Sequence, residues 1–64
     1  MTLDKARELI TVQVEMGGGY NRNSVRIILT EVKKDLGQEA VDELIRSFSL
    51  DELFGIQPGE NIHL

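Results

Sequence analysis

With 64 residues the chain can build one hydrophobic core and not two, and the absence of cysteine together with a single histidine excludes disulfides and the common zinc frameworks as supports. Hydrophobic residues at 41% and charged residues at 28% mark a folding chain, and a net charge of −4 counts against nucleic acid as a partner. A chain this short buries only about 60% of the surface it exposes when unfolded, so its stability must come from close helix packing or from oligomerisation.

The first segment admits two readings. As a helix over residues 3–16, Thr2 caps it, Asp4 complements its dipole, and Leu3, Ala6, Ile10 and Val14 form one stripe with Leu9, Val12 and Met16 beside it. As a strand, Ile10 to Met16 alternates strictly and contains several β-branched residues. The helix is the preferred reading, because its start and stop signals agree and a lone strand would have nothing in the same chain to pair with.

Next comes the least ordinary stretch, Gly17, Gly18, Gly19, Tyr20, Asn21, Arg22 and Asn23. Three consecutive glycines cost more backbone entropy than a helix connection requires. Arg22 and Arg26 flank the start of the following helix, where acids are ordinarily preferred. These eight residues, 17–23 with Arg26, are the candidate binding site: glycine amides, a helix terminus and two guanidinium groups could attract an anion. The stretch is neither a Walker loop, lacking G-K-[ST], nor a dinucleotide fingerprint. The plainer alternative is that the glycines only turn the chain and the arginines pair with carboxylates such as Glu8 or Glu15.

The second helix is expected over residues 24–36, with Val25, Ile28, Leu29, Val32 and Leu36 on one face. Asn23 or Ser24 would cap it, Lys33 and Lys34 suit its negative end, and Gly37 stops it as a left-handed residue. A third helix over 38–48 follows, with Ala40, Val41, Leu44, Ile45 and Phe48 inward and Asp42 and Arg46 paired outside. Ser49-Leu50-Asp51-Glu52 matches a capping box, with Phe48 and Leu53 able to form the hydrophobic staple. This opens a short helix over 50–54, and an irregular tail over 55–64 follows Gly55 and Pro58-Gly59. The fold class is thus all-α, a small single-domain bundle of three helices plus a short fourth helical turn, completed by homodimerisation. The expected core is Ile10, Val14, Val25, Ile28, Leu29, Val32, Leu36, Val41, Leu44, Ile45, Phe48, Leu53 and Phe54.

Catalysis is not expected. The only histidine, His63, is penultimate, and Ser24, Ser47 and Ser49 sit in capping or helical contexts. Asp51, Glu52, Glu60 and His63 have the spacing of no EF-hand or zinc motif, so neither a metal nor another cofactor is expected. The longest apolar run is Ile27, Ile28 and Leu29, far below a membrane span, and Met1 is followed by Thr2 and Asp4 rather than by a leader, so a cytoplasmic protein is expected. Val12, Ile27, Leu50, Ile56 and Ile62 lie outside the main stripes and would leave apolar surface, which a symmetric dimer covers. The leading functional expectation is therefore an assembly module that binds a second copy, and through it or beside it another protein.

The runner-up is a small DNA-binding regulator. If residues 10–16 were a strand, the order strand, helix, helix, with Asp42-Glu43-Leu44-Ile45-Arg46 opening the second helix, resembles the ribbon-helix-helix repressors over residues 10–48. That resemblance implies paired strands laid in the major groove; the chain departs from it in the long Gly-rich link and in Glu15, which would face phosphates. If the segment is helical, the Gly37 turn resembles a helix-turn-helix, whose second helix would carry Glu39, Asp42 and Glu43 against Arg46, the wrong sign for DNA.

Overall fold

A computed structural model describes residues 1–17 and 21–59, and among these the chain forms four α-helices and no strand: α1 Leu3–Met16, α2 Arg22–Leu36, α3 Gln38–Phe48 and α4 Leu50–Phe54. The premise of the ribbon-helix-helix reading is thereby removed, since residues 10–16 belong to α1. Thr2 starts that helix as expected: extended at φ −91° and ψ 162°, it accepts the Lys5 amide on its hydroxyl at 3.1 Å.

The start of α2 lies two residues earlier than the sequence pattern implies. Asn21, not Asn23 or Ser24, is the residue before the first turn, and the Val25 amide donates to its carbonyl at 3.2 Å. The reason is tertiary. The Asn21 amide group caps nothing in α2 but donates to the Gln13 carbonyl at 2.6 Å and to Gln13 Oε1 at 3.0 Å, fixing the chain against α1 where helix begins. At the opposite end the Met1 ammonium lies 2.7 Å from Asp35 Oδ2. Contacts joining start to end and end to start make α1 and α2 an antiparallel pair. Arg7 Nη2 donates to Glu43 Oε1 at 2.8 Å and fastens α1 to α3 on its other side.

Between α2 and α3 stands one residue, Gly37, at φ 94° and ψ 175°. The expected left-handed helical conformation is not adopted. With ψ near extended, the chain leaves α2 in a region essentially reserved for glycine, because a Cβ there would crowd the backbone itself. A Cβ on Gly37 would meet no neighbouring atom within 4 Å, so any strain in a substitution is internal to the residue.

Ser49 also departs from expectation. It is left-handed at φ 53° and ψ 43°, donates its amide to the Arg46 carbonyl at 3.3 Å, and makes no side-chain cap. The capping box is therefore not formed. One residue both ends α3 and begins α4, and that left-handed kink places Leu50 and Phe54 inward instead of Leu53. The staple fails with it, since Leu53 is 49% exposed.

Ala6, Ile10, Val25, Ile28, Leu29, Val32, Val41, Leu44, Ile45, Leu50, Phe54 and Ile56 form the buried cluster, with Val14 and Phe48 partly buried against it. Of the expected core, Leu36 and Leu53 are out of place. Leu36, at the last position of α2 where the chain turns away, is 43% exposed. In exchange Leu50 and Ile56, expected at an interface, are wholly buried within the single chain. Residues 55–59 are not helical, yet they are tied down: the Ile56 amide donates to the Leu50 carbonyl at 3.3 Å.

Gly37→Ala should lower stability by about 1–3 kcal/mol, read as a fall in the urea midpoint at unchanged slope. Leu50→Ala should cost about 2–5 kcal/mol, whereas Leu53→Ala should stay within about 0.5 kcal/mol of the parent. Equal losses at the two leucines would show that α4 presents a different face.

Candidate functional site

Of the eight candidate residues, Gly18, Gly19 and Tyr20 lie outside the described residues. Gly17 closes α1 at φ 66° and ψ −167°, its amide donating to the Val14 carbonyl at 3.1 Å, and it is exposed. Asn21, as described, turns its amide toward α1, and its Oδ1 is buried without a hydrogen-bond partner among the described residues. Arg22 turns the other way: its Nε donates to the Phe54 carbonyl at 2.6 Å. That carbonyl belongs to the last turn of α4, whose unsatisfied oxygens and negative dipole end favour a cation. Arg22 thus pairs with backbone, not with the Glu8 or Glu15 carboxylates. Asn23 is exposed within the first turn of α2, and Arg26 is half-buried one turn further on.

The described part of this region therefore diverges. Asn21 reaches to α1, Arg22 to α4, and neither aims its polar atoms at a shared point. What persists from the sequence argument is the electrostatic character of the α2 terminus, whose first turn contains no acidic residue. The structural role is clear: Asn21 and Arg22 are adjacent residues that join α2 to the end of α1 and to the end of α4.

A second cluster was not visible in the sequence. Asp42, on α3, was expected to pair with Arg46. Instead its Oδ1 accepts from Gln38 Nε2 at 2.9 Å and from the Gly59 amide at 2.7 Å. The Gln38 hydrogen bond, then the Gly59 amide, hold the Asp42 carboxyl below the ordinary aspartate range, against a smaller opposing effect of burial and with the weakest contribution from the attraction of Arg46. Asp42 so fastens the segment after α4 across α3, next to buried Ile56. Only Pro58-Gly59 as a turn was legible beforehand; the distance of 17 positions between Asp42 and Gly59 gives no local signal.

No group of three or more His, Asp or Glu side chains converges as a metal site among the described residues. Among them, no helix is long and apolar enough to cross a membrane. The remaining chemical feature is apolar. Val12 and Met16, one turn apart on α1, are 49% and 69% exposed, and Leu9 on the same edge is partly buried against the core. No protein-family model matches the chain, and no curated protein or solved structure matches it significantly.

The lowered pKa of Asp42 has a defined sign. Its contribution to stability is complete above the unfolded aspartate value, about 3.9, and is lost as pH falls through the lower folded value. Asp42→Asn should remove that part of the acid dependence and speed hydrogen exchange at the Gly59 and Ile56 amides at neutral pH. Unchanged protection of both amides in the variant would show that Asp42 does not hold the segment.

Proposed function

We propose that this protein acts by binding rather than by catalysis, as a small helical assembly module whose partner is a second copy of itself. The observation that supports this reading is the exposed apolar edge of α1, where Val12 and Met16 stand together beside Leu9. Exposed apolar side chains scattered singly are ordinary. Ile27, 48% exposed on the far side of α2, is of that kind. Two at one helical turn, continuous with a third that packs on the core, are a different matter, because water must be ordered over their joined surface and association releases it.

The small size of the domain supports the same reading, since a second copy adds buried area that 64 residues cannot supply alone. The burial of Leu50 and Ile56 inside the chain narrows the interface to fewer residues than the sequence suggested. Capture of another protein by the assembled form belongs to the same proposal, as does a cytoplasmic location, with which a chain free of cysteine is compatible. No cofactor enters it.

Light scattering across a micromolar concentration series should give the mass of two chains, falling toward one on dilution. A mass of one chain throughout would end the self-association reading.

A further inference from the structure

We propose that two copies of this chain associate by exchanging residues 50–59: α3 and α4 straighten into one helix at Ser49, and each copy's α4, with the segment after it, fills the seat of the other. This rests on the reading that the partner is a second copy, and it names the segment that the copies trade. Ser49 is the only non-glycine residue with positive φ among the described residues, left-handed at φ 53° and ψ 43°. A side chain makes that conformation costly, and glycine is the residue that holds it readily. A helix running through Ser49 relieves the strain and offers the Leu50 and Asp51 amides the Arg46 and Ser47 carbonyls, four positions back. Two bonds of that helix are already made: the Ser49 amide reaches the Ile45 carbonyl, and the Leu53 amide donates to the Ser49 carbonyl at 3.0 Å. Straightening sacrifices no cap, since the Ser49 side chain makes none.

The segment is held in a way that an identical copy reproduces. Arg22 Nε donates to the Phe54 carbonyl at 2.6 Å, the Gly59 amide donates to Asp42 Oδ1 at 2.7 Å, and Leu50, Phe54 and Ile56 enter the buried cluster. All of these groups lie on one stretch of chain and leave together when the hinge opens. Leu50 stands about two and a half turns beyond Val41. A straight helix therefore turns Leu50 and Phe54 away from the side on which Val41, Leu44 and Ile45 are buried, and carries them off their own seat. Three apolar anchors are then in water, and the vacated seat of the other copy matches them. Exchange in both directions closes the pair with two-fold symmetry and leaves no seat open. The seat contacts are the same in both forms, so the hinge sets the balance: strain at Ser49 favours exchange, and the entropy of joining two copies opposes it.

The experiment uses the whole chain. Ser49→Gly accepts the left-handed turn and weakens a continuous helix, so it should raise the dimer dissociation constant at least about tenfold in sedimentation, whereas Ser49→Ala, a better helix former, should lower it. Circular dichroism should report a helical fold in both. A chain carrying a nitroxide at Leu53→Cys, an exposed position of α4, is then unfolded and refolded together with isotope-labelled parent chain. In the mixed dimer the strongest broadening of the parent's amides should fall at Arg22, beside the seat of α4. A dimer whose dissociation constant is the same in both Ser49 variants, or whose strongest broadening lies away from Arg22, overturns the exchange while leaving self-association intact. A parent chain that is monomeric throughout overturns both.

Discussion

The single residue between α2 and α3 sets the architecture of the bundle. A chain leaving a helix of 15 residues and entering another one position later has no slack with which to adjust direction. The turn must come from the dihedrals of Gly37, and φ 94° with ψ 175° is a conformation that side-chain-bearing residues avoid for steric reasons. Because that turn is fixed, Val25, Ile28, Leu29 and Val32 meet Val41, Leu44 and Ile45 in one buried cluster, and α1 has a surface to lie on. Elsewhere the helices are tied to one another by side chains: Asn21 to Gln13, Arg22 to the Phe54 carbonyl, Arg7 to Glu43.

Those ties explain where function can and cannot reside. The Gly-rich stretch drew attention because its arginines contradict the preference of a helix start for acids. Arg22 resolves its own part of that contradiction, since its positive charge serves the negative end of α4 rather than the positive end of α2. A residue that looks misplaced on its own helix is well placed on a neighbouring one. What the described residues leave uncovered is apolar, on the edge of α1, where Val12 and Met16 are exposed.

Much of the core was legible because helical periodicity reports burial directly when both flanks of a helix are packed, as in α2 and α3. Val25, Ile28, Leu29, Val32, Val41, Leu44 and Ile45 were all read from spacing and are all buried. Periodicity fails at ends. Leu36 continues the α2 stripe but lies where the chain turns off, and Leu53 is displaced by the left-handed kink at Ser49, a conformation that no local preference of serine announces. The candidate site was legible only as composition. Glycines and arginines could be named, but the atoms they bond belong to Phe54 and Gln13, 32 and 8 positions away.

By itself the sequence determined the class of fold, the extents of three helices nearly to the residue, the Thr2 cap, the stop at Gly37 and the exclusion of disulfides, because each follows from short-range sterics, hydrogen bonding or composition. Tertiary structure alone decided that α2 begins at Arg22, that Ser49 kinks instead of capping, that Ile56 enters the core and that Asp42 binds the Gly59 amide. Each of these is a contact between groups distant in the chain, whose free energy depends on where the other helices lie, and no window along the sequence contains that information.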